Sequence, residues 1–248
     1  MCRRGRLAMI AAPGDASSAA TKEGILNIHG LPSAPSSPGE GEAGETGLPA
    51  LLGSTPRGVA ARSLIGQLRH HHAPTAAHCA RVARVLMRMW ARAPDQLGDP
   101  ETLLIAGALH DIGKLFVPAS TLGSDRALDE DGLATIRRHP ETGAEVLRSL
   151  GFPPVVVAAA RDHHERWQGG GYPVGGHSED LHVVARATAV ADAYVAMVEP
   201  GRAYRTPLTD GAALAELRAC RGTHFDPVLA DILLVELAER AAAGLALI

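Results

Sequence analysis

Aromatic residues make up only 3% of the 248-residue chain, so any core must be filled by aliphatic side chains. Cysteine is as scarce. Cys2, Cys79 and Cys220 are too few and too scattered for a disulfide framework or a CxxC zinc site, and they point to a reducing, cytoplasmic setting. Neither charge is in clear excess: 24 Lys and Arg against 27 Asp and Glu leave a net charge of −3. That excludes broad electrostatic attraction to a nucleic-acid polymer or an anionic membrane, so an anionic ligand must be held locally. Long apolar runs are missing too. The basic start Met1-Cys2-Arg3-Arg4 has the charge of a signal peptide, but its apolar stretch Leu7 to Ala12 stops at Pro13-Gly14-Asp15. Later apolar segments are broken by Arg186 and Asp192, or by Glu236, Glu239 and Arg240. None approaches the ~20 apolar residues of a membrane span, and a soluble protein without membrane insertion is expected.

Hydrophobic content of 46% is nevertheless ample for one buried core. Residues 1–56 are rich in Ala, Gly, Ser and Pro and have no sustained apolar period, which predicts a low-complexity, disordered tail. From there to residue 248 the chain reads as one all-α domain. His78, Val82, Val85, Leu86 and Met89 share a helix face; Leu103 to His110 end another helix; Val146, Leu147 and Leu150 run to the stop at Gly151. Pro153-Pro154 opens a helix that reaches His163-His164, Val183 to Tyr194 carry Asp192, and Asp226-Pro227 starts a last helix through Leu237. His139 before Pro140 is read as a helix cap. No strand-like alternation of useful length occurs.

Ligand-type side chains fall in one order along these helices: His78, His110-Asp111, His139, His163-His164 and Asp192. Imidazoles with a few carboxylates suit first-row divalent metals. Adjacent helical residues diverge by about 100°, so His163 and His164 share a metal only if their helix is ending, as the glycines at 169–171 suggest. Asp111 is the bridging candidate, because one carboxylate can serve two ions through its two oxygens. Asp192 lies mid-helix among apolar neighbours, where a metal or a buried Arg such as Arg186 would offset its burial. The run His70-His71-His72 before Pro74 reads as a solvated turn, and His182 and His224 as capping or packing residues.

His110-Asp111-Ile112-Gly113-Lys114, His139-Pro140-Glu141-Thr142-Gly143 and His163-His164-Glu165 through Gly171-Tyr172-Pro173 closely resemble the HD-GYP family, bacterial phosphodiesterases acting on cyclic di-GMP. The resemblance continues in His78-Cys79-Ala80-Arg81-Val82, Val190-Ala191-Asp192, Tyr204-Arg205 and Gly222 to Pro227. It implies an HD-type helical bundle and two divalent ions, iron or manganese. One ion would take His78, His110, Asp111 and Asp192, and the other Asp111, His139, His163 and His164. Catalytic roles would fall to Asp111 and Lys114, and substrate contacts to Lys114, Gly171, Tyr172 and Pro173. Pro74 stands where a Glu supports a third metal in some members, Gln168 where Asp or Asn is usual in the glycine loop, and Val195 where a second Asp is frequent.

The expected activity is hydrolysis of a cyclic dinucleotide, cyclic di-GMP first, to the linear dinucleotide in second-messenger signalling. Two rival readings are a signalling adaptor that keeps the metal site but works through protein partners, and a phosphohydrolase of another nucleotide.

Overall fold

The computed structural model describes residues 52–176, 180–200 and 206–248. Nearly all of the expected tail, with His29, lies outside these residues, as does Tyr204-Arg205. Leu52 is already fully buried, so packing starts a few residues before the boundary expected at 56.

Helices carry the described residues: α1 Pro56–His71, α2 Ala73–Arg92, α3 Pro100–Leu109, α4 Glu130–Arg137, α5 His139–Ser149, α6 Pro154–Asp162, α7 Val183–Val198, α8 Asp210–Cys220 and α9 Pro227–Ala242. Shorter helical turns join them, among them a 3-10 turn at Ile112–Phe116. The described residues contain no strand, only an isolated bridge between Arg221 and Phe225.

The helix starts are written locally. Thr55, Asp99, Asp129, Thr209 and Asp226 each accept a backbone N–H in the first turn of the helix that follows, and most of these helices take Pro in that turn, where its missing N–H costs nothing. His182 caps α7 in the same way, as read from the sequence.

The three-histidine run is not a solvated turn. His71 closes α1 and its Nε2 lies 2.8 Å from the carbonyl oxygen of Val117. His72 breaks the chain between α1 and α2, accepting the Thr75 N–H at Nδ1; only His70 is exposed. His139 likewise sits one position further in than expected: it is the first residue of α5, and Arg138 occupies the cap.

α2 packs most extensively on α3, and α5 on α6. α6 also meets α3 and α7, and α7 returns to α2. The core between them is aliphatic, with Leu86, Met89, Leu103, Leu109 and Val190 fully buried and Tyr194 its largest member. This ring of helices brings the end of α3, the start of α5, the end of α6 and the middle faces of α2 and α7 to one place. No helix among the described residues is long and apolar enough to cross a membrane.

Candidate metal centre

All seven ligand-type side chains named above meet there. Ligand atoms of Asp111, His139, His163 and His164 lie within 4.8 Å of one another, and so do those of His78, His110 and Asp192. The two groups touch, since the His110 ring is 5.4 Å from that of His78 and 5.0 Å from that of His163. Asp111 faces both: its Oδ1 is 3.0 Å from His139 Nε2 and 3.8 Å from His163 Nε2, while its Oδ2 is 3.5 Å from His110 Nε2.

Local backbone sets most of these positions. α6 ends at Asp162, so His163 falls at the cap and His164 one step beyond, with ring centroids only 4.1 Å apart. His110 caps α3 in the same manner, and Asp111 starts the 3-10 turn. Gly113 lets that turn lie against α5, because a Cβ there would come within 2.0 Å of the His139 carbonyl oxygen. A residue of any other type would push Asp111 and His139 apart.

The tautomers are set as well. Nδ1 of His110 donates to the Gly107 carbonyl at 2.8 Å, that of His139 to Ile136 at 2.6 Å, and that of His163 to Ala160 at 3.0 Å. Each neutral ring therefore turns a bare Nε2 toward the centre. Nε2 of His139 and Nε2 of His163 stand 3.3 Å apart, close enough to face one ion. Burial and the neighbouring His110 and His139 rings pull the His163 pKa down to about 3. Nε2 of His110 is buried and makes no hydrogen bond among the described residues. A buried, converging set of imidazole nitrogens and carboxylates fits a divalent cation. The chain thus carries a His/Asp cluster of the kind that holds divalent metal.

His78 differs. It lies mid-helix on α2, and its Nε2 donates to Asp192 at 2.8 Å while Nδ1 donates to Glu199 at 2.9 Å. Burial pulls its pKa down, but the two carboxylates outweigh that and hold it at about 9. Asp192 is correspondingly held well below the usual range: burial raises it, and His78 more than reverses the effect. Arg186, the alternative partner for Asp192, instead reaches Asp226 at 2.5 Å and lies over the Trp167 ring.

Lys114 turns back onto the cluster, with Nζ 2.5 Å from Asp111 Oδ2. Burial raises the Asp111 pKa, yet Lys114, first among its neighbours, holds the carboxyl well below its usual range.

The glycine loop folds over the other side. The Tyr172 ring stacks on His164 with centroids 4.6 Å apart, and Pro173 follows through a cis bond. Gly171 is needed by the protein itself: a Cβ there would lie 2.5 Å from Glu165 Cα. Glu165, buried, accepts the N–H groups of Val174 at 2.6 Å and Gly175 at 3.0 Å. Trp167 and Gln168 N–H groups bond to the carbonyls of His224 and Thr223, tying the loop to the segment before α9.

Glu165 and Glu199 escaped the sequence reading. Each looks like a solvated helix-end carboxylate, and only the distant partner reveals its role. Cys79 was dismissed as scattered, but the structure buries its thiol beside His110 and Asp111, and burial pushes its pKa well up. Its position next to His78 was the available signal.

A cleft of about 140 Å³ opens beside the cluster, with His163, His164 and Asp192 on one wall and Arg137, Arg166 and Tyr172 around it. It is too small to swallow a drug-sized ligand whole, so a larger substrate would present one part to the cluster and leave the rest outside.

The HD domain family matches residues 63–229. The 3'3'-cGAMP-specific phosphodiesterase 2 of Vibrio cholerae is 35% identical over 162 residues, 64% of this chain and 31% of that protein. The cyclic di-GMP phosphodiesterase response regulator RpfG of Xanthomonas campestris is 41% identical over 146 residues, 56% of this chain and 38% of its own length. The chain thus spans about a third of the curated relatives it matches. Among solved structures, the HD domain of the Listeria monocytogenes phosphodiesterase PgpH with cyclic-di-AMP superposes with a TM-score of 0.52 at 16% identity, covering 72% of this chain and 96% of that one. Bd1817 of Bdellovibrio bacteriovorus, an HDG"Y"P protein, gives 0.53 at 19% identity over 72% of this chain and 57% of its own. These likenesses carry the fold. The family match over two thirds of the chain and the His-Asp and Gly-Tyr-Pro motifs at the cluster agree: the chain belongs to the HD domain family, in its HD-GYP branch.

Proposed function

We propose that this domain is a metal-dependent phosphodiesterase that opens one ring phosphodiester of a cyclic dinucleotide, cyclic di-GMP first, to give the linear dinucleotide. The observation that carries the reading is the pair of adjoining donor groups with Asp111 between them, opening onto a cleft bordered by cations. His78, His110, Asp111 and Asp192 would hold one divalent ion and Asp111, His139, His163 and His164 the other. Bound there, iron or manganese would supply Lewis acidity toward a phosphoryl oxygen and acidify the attacking water.

The chain's own residues do the rest. The backbone carbonyls of Gly107, Ile136 and Ala160 fix the imidazole tautomers. His78 must give up its Nε2 proton to become a ligand, so loading releases a proton. Lys114, 2.5 Å from Asp111 Oδ2, would be placed to meet a phosphoryl oxygen as a point charge when Asp111 serves as a ligand. Tyr172, stacked on His164, lines the cleft with Gly171 and would offer ring surface to a base, while Pro173, expected as a substrate contact, follows it outside the lining.

The relatives' names support the substrate class and divide on the base: cyclic di-GMP for RpfG, 3'3'-cGAMP for the Vibrio enzyme. The test is purification without oxygen or chelator, metal analysis, and incubation with a panel of cyclic dinucleotides followed by chromatography. Close to two ions per chain and a linear product accumulating before any mononucleotide are expected. Less than one ion, or an inert loaded protein, would overturn the reading.

A further inference from the structure

A cyclic dinucleotide carries two phosphates, and the metal cluster accounts for one of them. The other must find a cation within reach, because a net charge of −3 gives the protein no general attraction for anions. Lys114 does not line the cleft; it is folded onto Asp111, half-buried among the ligands. Arg137 does line it. It is the last residue of α4, two positions before His139, and its guanidinium stands 6.0 Å over the Tyr172 ring. Tyr172 in turn lies 4.6 Å from the His164 ring in a near-parallel stack. The guanidinium is therefore two ring contacts from a metal-ligand candidate and on the lining of the same cleft.

That placement suits a specific task. A guanidinium is planar, stays charged and pairs with phosphate through two parallel N–H bonds, while its stem rests on an aromatic face. We propose that Arg137 holds the phosphate that is not being cut, and so selects a two-phosphate ring over a simple phosphodiester. The assignment rests on the cyclic-dinucleotide reading above. Arg166 borders the same cleft, but no aromatic face supports it among the described contacts.

The experiment uses the full chain, metal-loaded without oxygen, with steady-state kinetics on cyclic di-GMP. Arg137→Gln should raise KM by about tenfold or more, the cost of one charge-assisted hydrogen-bonded contact, with kcat within about threefold and metal content unchanged. Arg137→Lys should recover part of the loss, because charge is kept and the planar fork is not. Arg138→Gln, which removes the neighbouring exposed charge, should leave KM near the wild-type value and so separate position from net charge. An unchanged KM in Arg137→Gln, or a fall in kcat and bound metal together, overturns the assignment and leaves the phosphodiesterase reading standing. A loaded wild-type protein that neither binds nor cleaves any cyclic dinucleotide overturns both.

Discussion

Replacing Glu165 with Gln should loosen the glycine loop while the helices stay in place. The carboxylate is buried and receives the Val174 N–H at 2.6 Å and the Gly175 N–H at 3.0 and 3.1 Å through its two oxygens. A carboxamide of the same shape keeps one acceptor and turns an NH2 toward an N–H. Hydrogen bonds to a charged acceptor are worth about 1.5–3 kcal/mol each. Val174 is 75% exposed, however, so water can replace part of what is lost there. A net cost of about 2 kcal/mol to the closed loop follows, and since 1.4 kcal/mol is a factor of ten, the closed population should fall by about 30-fold relative to open forms. Amide hydrogen exchange resolved by residue reads this directly: protection at Val174 and Gly175 should drop by about that factor, with the amides of α2 and α6 unaffected. Tyr172 would lose its fixed place over His164, so KM should rise with kcat less affected. Equal protection at both amides in the variant and the wild type would show that the close approach at Gly171, where a Cβ would lie 2.5 Å from Glu165 Cα, holds the loop without help from the carboxylate.

Glu199→Ala should weaken metal binding by about 10–100-fold in chelator competition, because the Nδ1–H of His78 loses the acceptor that orients the ring; Glu199→Gln, which retains a carbonyl oxygen, should lose far less, and matching affinities for Ala and wild type would refute the positioning role. Lys114→Ala should destabilise the metal-free protein by about 3 kcal/mol, since it strands a buried carboxylate, but should cost the loaded protein much less. The rise in Tm on adding metal should therefore be larger than in the wild type, and an equal rise would sink the argument. Metal affinity should also climb with pH. His78 is held protonated up to about 9 and must lose a proton to bind, so affinity should increase by about tenfold per pH unit below that value and flatten above it; affinity independent of pH between 7 and 9 would contradict the His78 assignment.

Much of this was legible in the sequence because it is local. Helix periods, proline starts and the glycine stop at 151 need only neighbours a turn away, and adjacent ligands such as His163-His164 announce a helix ending by their incompatibility with a regular one. What stayed hidden depends on partner choice across the fold. Glu199 finds His78 121 residues away, and Arg186 passes over Asp192, six positions along its own helix, for Asp226, 40 residues on. The His72 cap was misread for a related reason: three histidines before a proline look like a hydrated turn until the Val117 carbonyl packs beside His71. For Cys79 the sequence offers only its place beside His78, since a single thiol has no spaced partner, and the meeting of α2 with the end of α3 sets it against His110.

The helix ends explain why the ligands come as they do. The last carbonyls of a helix have no partner within it, and in a buried place they need a donor. At the end of α3 the Gly107 carbonyl receives Nδ1–H of His110; at the end of α6 those of Ala159 and Ala160 receive His163; and the last turn of α4 offers Ile136 to His139. One contact thus satisfies a stranded carbonyl, locks the tautomer and aims Nε2 at the centre, where the negative end of the helix dipole also favours a cation. Asp111 and His164 gain their places by following such a residue directly. His78 tests the rule from the other side. It sits in the middle of α2, where every nearby carbonyl is already used, and there the protein supplies a dedicated acceptor, Glu199, from the cap of α7. Four imidazoles are therefore oriented by two devices, and the device used follows from whether the ligand lies at a helix end or within one.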